Sequence, residues 1–195
     1  MQNKLCGYID CKRDISYLTN LPGAAERLEI MEADLNHPES FDAAIQGCKG
    51  VFHLAHPMDV DGREPEEAVT RRAVEGTLGI LKACLKNSDT VKRVVYASSA
   101  VAVLYNGELG TGGGVADEAT WSDLDVCRSS NIVSPNYLVS KTVAERKALE
   151  FAESHGLELV TIVLPLVVGP FICPNIPSSV YMPLAIIFGN FGTIG

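Results

Sequence analysis

The chain has no excess of positive charge: 16 Lys and Arg stand against 24 Asp and Glu in 195 residues, a formal net charge of −8. That balance excludes a non-specific nucleic-acid binder, which needs clustered Lys and Arg for phosphate contacts. A small anion needs only a local positive site and stays open. Cys6, Cys11, Cys48, Cys84, Cys127 and Cys173 form no CxxC pair and no zinc-ligand spacing. Neither a metal cage nor a disulfide scaffold is expected from them. Long apolar runs are missing as well. The longest stretch, residues 159–172, is interrupted by Pro165, Gly169 and Pro170 and is too short to span a bilayer. Residues 1–5 are polar and lead into no apolar leader. Together these absences give the expectation of a cytoplasmic chain with reduced thiols, no membrane contact and no bound metal. Internal repeats and low-complexity tracts are absent too, which excludes a solenoid or an array.

What is present is a globular composition, 47% hydrophobic, at a length of roughly one domain. Short apolar runs alternate with longer amphipathic ones. Residues 28–33, 50–55, 93–97 and 158–164 read as strands. Asn36 reads as the cap of a short helix, with Pro38 and Glu39 in its first turn and Gly47 past its end. Residues 64–86 read as a long helix, because Val69, Ala73, Thr77, Ile80, Leu81 and Cys84 recur at helical spacing. Residues 136–155 form another, closed by Gly156. Residues 106–130 read as a long functional loop. Strands alternating with helices imply an α/β fold with a parallel sheet covered by helices. Ligands of such folds sit beyond the carboxyl ends of the strands.

One constellation at those ends can carry chemistry. Tyr137 and Lys141 are four residues apart on the helix of residues 136–155, so they share a face. An ammonium beside a phenol favours the phenolate and suits the phenol to acid chemistry. Ser99, just past the strand of residues 93–97, can donate a hydrogen bond to a carbonyl oxygen as charge develops there. Tyr8 and Lys12 have the same spacing, but no serine at a strand end precedes them. A surface contact is the plain reading of that pair.

The segment Tyr137-Leu138-Val139-Ser140-Lys141, with Ser98-Ser99-Ala100 upstream, resembles the extended short-chain dehydrogenase/reductase superfamily. Lys12-Arg13-Asp14, Ala33-Asp34-Leu35, residues 50–57 and 75–80, Trp121-Ser122-Asp123 and residues 167–171 narrow the resemblance. They are similar to the plant dihydroflavonol-reductase-like group, nearest in pattern to its vestitone reductases. The resemblance implies a Rossmann-like parallel sheet with helices on both faces and a single NAD(P)-binding domain over residues 1–195. It implies NADPH as cofactor and a small phenolic ketone or related carbonyl compound as substrate. Tyr137 would be the general acid, Lys141 its tuner and a ribose ligand, and Ser99 the carbonyl-binding serine. Asp34 and Leu35 would hold the adenine. Leu54, Ala55 and His56 would line the ribose and phosphates, and Leu164 and Pro165 the nicotinamide. Lys12 and Arg13 would meet the 2′-phosphate.

Plainer readings stand beside several of these. Asp34 can help start the following helix, Lys12 and Arg13 can be solvated charge, and Trp121 can be a packing anchor. His53 reads as a buried strand imidazole and His56 as a loop contact. Gly110-Thr111-Gly112-Gly113-Gly114 reads as a surface loop, since no strand leads into it and no helix out of it.

The sequence also departs from the family. It carries no strand, glycine turn and helix with the dinucleotide fingerprint, so the fold is expected to lack the first strand-helix unit. The sequence stops at Gly195, so the C-terminal substrate domain is expected to be missing as well. Residues 28–33 would then pair directly with 50–55 or 93–97, or stay unpaired. Leu104 stands where dihydroflavonol reductases carry an Asn that meets ring hydroxyls. The alternative to a reductase is a non-catalytic truncated product that acts as a binding partner. Nucleotide-sugar epimerisation or dehydration is a further option, which Leu104 and Trp121-Ser122-Asp123 disfavour.

Overall fold

The computed structural model describes residues 3–7, 14–57, 59, 63–107, 114–131 and 133–188. Parallel strands among them fall into two sheets. β1 (Asn3–Gly7) pairs with β2 (Leu28–Glu32), in register from Asn3↔Leu28 to Gly7↔Glu32. β3 (Gly50–His53), β4 (Arg93–Ala97) and β5 (Leu159–Ile162) form the second sheet in that order. The helices are α1 (Ser16–Thr19), α2 (Ala24–Arg27), α3 (Asp42–Ile45), α4 (Glu66–Lys86), α5 (Val101–Leu104), α6 (Leu124–Arg128), α7 (Pro135–His155) and α8 (Ser178–Phe188). None of these is long and apolar enough to cross a membrane.

The partner of residues 28–33 differs from the expectation. β2 pairs with neither β3 nor β4; residues 3–7 supply the ladder instead. Backbone N–H and C=O groups must be paired when buried, and a five-residue segment at the start of the chain satisfies them. Its brevity and mixed polarity hid it. Asn36 does not cap a helix. Its backbone and side-chain N–H groups both donate to Asp34 Oδ1 at 2.9 Å, and a 3-10 turn (Pro38–Phe41) precedes α3. The expected loop of residues 106–130 contains α6, whose first N–H groups at Asp125 and Val126 donate to the Asp123 carboxylate.

The core lies on one face of the β3-β4-β5 sheet. Val94 packs there with Ile80, Leu81 and Cys84 of α4 and Ala148 of α7. The six α4 positions picked out by helical spacing are all buried. On the opposite face Phe52, Val95 and Val160 share one row, and Phe52 is 72% exposed. The same 2.0 periodicity thus splits each strand between a covered and an open face.

α4 lies close to the turn after β2 because two of its residues lack side chains. A Cβ at Gly76 would stand 3.2 Å from the Leu35 carbonyl oxygen, and one at Gly79 would overlap the Pro38 ring. Alanine in a helix interior is ordinarily worth about 1 kcal/mol over glycine. Gly79→Ala is expected to reverse that sign and cost about 1–3 kcal/mol through overpacking. Urea unfolding of the variant checks this; a gain in stability would mean that the Pro38 turn yields freely.

Candidate active site

α7 begins with Pro135, whose fixed φ suits the first helical position, and ends at Gly156 with φ +65°. Its middle is buried on almost every side. Leu138, Val139, Ser140, Lys141, Thr142, Ala144 and Glu145 are all buried, because α4, α5, α6 and β5 pack around the helix. Lys141 is only 5% exposed. Its Nζ donates to the carbonyl oxygen of Ala97, the last residue of β4, at 3.0 Å. The Tyr96 ring lies 5.5 Å from the same nitrogen. Burial lowers the Lys141 pKa to about 8, against a raising influence from the Glu145 carboxylate.

Two histidines enter from β3 and the residues after it. His53 is buried, with Nε2 3.2 Å from Thr77 Oγ1 of α4 and its ring against Tyr96. His56 packs edge-on to the Tyr137 ring, centroids 5.6 Å apart. Its Nε2 lies 3.1 Å from Ser140 Oγ, and Ser140 donates its own proton to the Tyr137 carbonyl oxygen. A hydroxyl has one proton to give, so it accepts from His56 Nε2–H. This leaves His56 Nδ1 as a bare acceptor, buried and without a hydrogen-bond partner among the described residues. Desolvation, followed by the Lys141 charge, lowers the pKa of His53 to about 4 and of His56 to about 3. Both rings are therefore neutral near pH 7.

The two serines after β4 part company. Ser98 is buried and its Oγ donates to the Glu145 carboxylate. Ser99 is half-buried, and its Oγ accepts a long 3.4 Å bond from the Val101 N–H. The Ala100 N–H donates to the Leu164 carbonyl oxygen at 2.8 Å, which ties the segment after β5 to the start of α5. Pro165 follows, exposed.

Tyr137, Lys141 and His56 are thus gathered at the carboxyl ends of β3 and β4, with Ser99 two residues past β4. Leu54 and Ala55 are exposed just before His56. Asp34 and Leu35 stand in another neighbourhood, after β2. The Asp34 carboxylate is engaged in the turn with Asn36, not at a helix start. Leu35 borders a hollow of about 280 Å³ with Arg71 and Arg72 on its wall. Arg72 is held by Glu64 at 2.6 and 2.8 Å. Sequence reasoning missed these two arginines; their spacing from Ala68, with Glu75 one turn on, was the available signal. Lys12, Arg13, Tyr8 and residues 110–113 lie outside the described residues. Trp121 carries the Arg146 guanidinium 4.9 Å above its ring and accepts from Asn106 Nδ2 through its carbonyl oxygen, a packing arrangement. Among the described residues no group of three His, Cys, Asp or Glu is arranged to hold a metal.

Residues 9–168 match the 3-beta hydroxysteroid dehydrogenase/isomerase family. The chain belongs to that family. It is 52% identical over 184 residues to vestitone reductase of Medicago sativa, covering 94% of this chain and 55% of that protein. It is 59% identical over 182 residues to Protein BRI1-5 ENHANCED 1 of Arabidopsis thaliana, covering 92% and 50%. The crystal structure of the alfalfa vestitone reductase superposes with a TM-score of 0.79 at 49% identity, covering 93% of this chain and 54% of that one. Yeast methylglyoxal/isovaleraldehyde reductase Gre2, complexed with NADPH, superposes with a TM-score of 0.66 at 26% identity, covering 86% and 51%. The chain spans about half the length of these relatives. The Rossmann-like parallel sheet expected from the short-chain dehydrogenase/reductase motifs is the fold of this 3-beta hydroxysteroid dehydrogenase/isomerase family member.

Proposed function

We propose that the site at the ends of β3 and β4 reduces the carbonyl group of a small phenolic ketone, of flavonoid or phenylpropanoid type, with NADPH as reductant. The observation that carries this reading is the buried Lys141 amine, held at Ala97 one helical turn from the half-buried Tyr137. The reductase names of relatives and the NADPH complex of Gre2 support it. Residues 1–195 are read as one NAD(P)-binding domain.

The residues present suit the nicotinamide half of the cofactor. The bare His56 Nδ1 is an orphaned acceptor beside Tyr137, fit for a ligand hydroxyl. When bound, NADPH supplies a hydride equivalent to the carbonyl carbon. Ser99 Oγ–H donates to the carbonyl oxygen as negative charge grows there. Tyr137 gives its hydroxyl proton to that oxygen, and the Lys141 charge offsets the phenolate left behind. Leu164 and Pro165 would flank the nicotinamide, Leu54, Ala55 and His56 the ribose and phosphates, and Asp34 and Leu35 the adenine. By the family resemblance Lys12 and Arg13 would meet the 2′-phosphate. No glycine-rich turn is available in this sequence for the pyrophosphate. Leu104, 58% exposed at the end of α5, offers an apolar edge where a hydroxyl-binding Asn would suit dihydroflavonols. That favours a vestitone-like ketone.

A titration of NADPH fluorescence against the purified chain tests the reading. A saturable enhancement is expected, and Lys141→Met is expected to abolish it. No saturable response, or an equal response in Lys141→Met, would overturn the proposal in favour of a non-catalytic chain.

A further inference from the structure

Behind the Ser99–Tyr137–Lys141 group lies a second polar layer. Glu145 is 2% exposed, one helical turn beyond Lys141 on α7. A carboxylate four residues from a lysine on a helix ordinarily forms a solvated pair worth a few tenths of a kcal/mol. Here both groups are buried, where a charge without compensation is costly. Glu145 accepts from Ser98 Oγ, and Lys141 donates to Ala97. Ser98 itself is fixed in the sheet, its N–H donating to the Ile162 carbonyl oxygen at 3.0 Å. The carboxylate thus ties the middle of α7 to the residue directly before Ser99.

We propose that Glu145 is a positioning residue for carbonyl reduction. It keeps the Lys141 amine charged in its buried place and anchors the end of β4 through Ser98. This inference rests on the reductase reading given above. Among the described residues, the titratable groups set toward Lys141 are Tyr96 from β4, His53 and His56 from β3 and its following residues, and Glu145 from α7, with Tyr137 one helical turn away. The two histidines are neutral above pH 6.5, and Tyr96 is pushed further into its neutral form by burial. Glu145 is the group that counteracts the desolvation of Lys141. Glutamine at 145 keeps an acceptor for Ser98 and removes only the charge.

The test is a 13C NMR titration of the Lys141 ε-carbon in the intact chain, with circular dichroism to confirm folding. Glu145→Gln is expected to lower the Lys141 midpoint by about one unit or more. Ser98→Ala, which leaves the carboxylate in place, is expected to lower it less. An unchanged midpoint in folded Glu145→Gln overturns the proposal. If that variant does not fold, Glu145→Asp serves: a smaller drop supports the proposal, and an unchanged midpoint overturns it. Ketone turnover with NADPH, followed against pH, supplies the second arm. Its alkaline limb is expected to move down with the Lys141 midpoint, and a profile unmoved in Glu145→Gln overturns the positioning role. Turnover absent from every variant, with the midpoint shifted, would sink the reductase reading while Glu145's hold on Lys141 stands.

Discussion

Acidification from pH 7 to pH 5 is expected to remove about 4 kcal/mol of stability, roughly 2 from each of His53 and His56. Both imidazoles titrate near 6.5 when unfolded, and burial lowers them to about 4 and about 3 in the folded chain. Between those values the unfolded chain binds more protons than the folded one, so stability falls as pH falls. The contribution is complete above pH 6.5 and is lost progressively toward pH 3–4. The physical cause is shared: each ring is desolvated, and each feels the Lys141 charge. The lowered carboxylates of Asp14, Glu64 and Asp117 titrate below the usual carboxylate range, outside this window. Urea unfolding at pH 7 and pH 5 would read the loss directly. In the double variant His53→Gln, His56→Gln most of it is expected to vanish, since neither replacement titrates. An equal loss in that variant would place the acid sensitivity elsewhere.

Those histidines also show what the sequence could and could not reveal. His53 was legible as a buried strand residue, because an apolar run at residues 50–55 leaves it little else. The state of His56 was not. Its bare Nδ1 follows from a hydroxyl at Ser140 whose proton goes to the Tyr137 carbonyl oxygen, a fact of helix geometry 84 residues away. The α4 face was legible because one period, 3.6, accounts for Val69 through Cys84. The placement of Ser99 past β4, and of Tyr137 and Lys141 on one helix that reaches the end of that strand, was legible because strand, loop and helix alternate in a fixed direction. β1 was not, since five residues without alternation carry no period to detect. Glu145 stayed hidden for the opposite reason. Its spacing from Lys141 is the pattern of a solvated surface pair, and only the packing of α4, α5 and α6 around α7 turns that pair into a buried one.

Removal of one oxygen, in Tyr137→Phe, is expected to lower NADPH-dependent ketone reduction by about 100- to 10,000-fold, the usual worth of a positioned general acid. The ring that meets His56 edge-on remains in this variant, and the backbone carbonyl that accepts from Ser140 is untouched. Folding and NADPH affinity are therefore expected to stay near those of the parent chain. The loss belongs to kcat, because the hydroxyl proton is needed only as the carbonyl oxygen gains charge. Ser99→Ala is expected to cost about 100- to 1,000-fold by removing a donor to that same oxygen. Its Oγ takes one long bond from Val101, so little of the local fold depends on it. Ser98→Ala offers the contrast: its hydroxyl faces Glu145, so its effect on turnover is indirect, through the tie between α7 and the end of β4. If Tyr137→Phe reduced ketone at the parental rate, the proton would have to come from another group. His56 could not give it near neutral pH, because its ring is already deprotonated there.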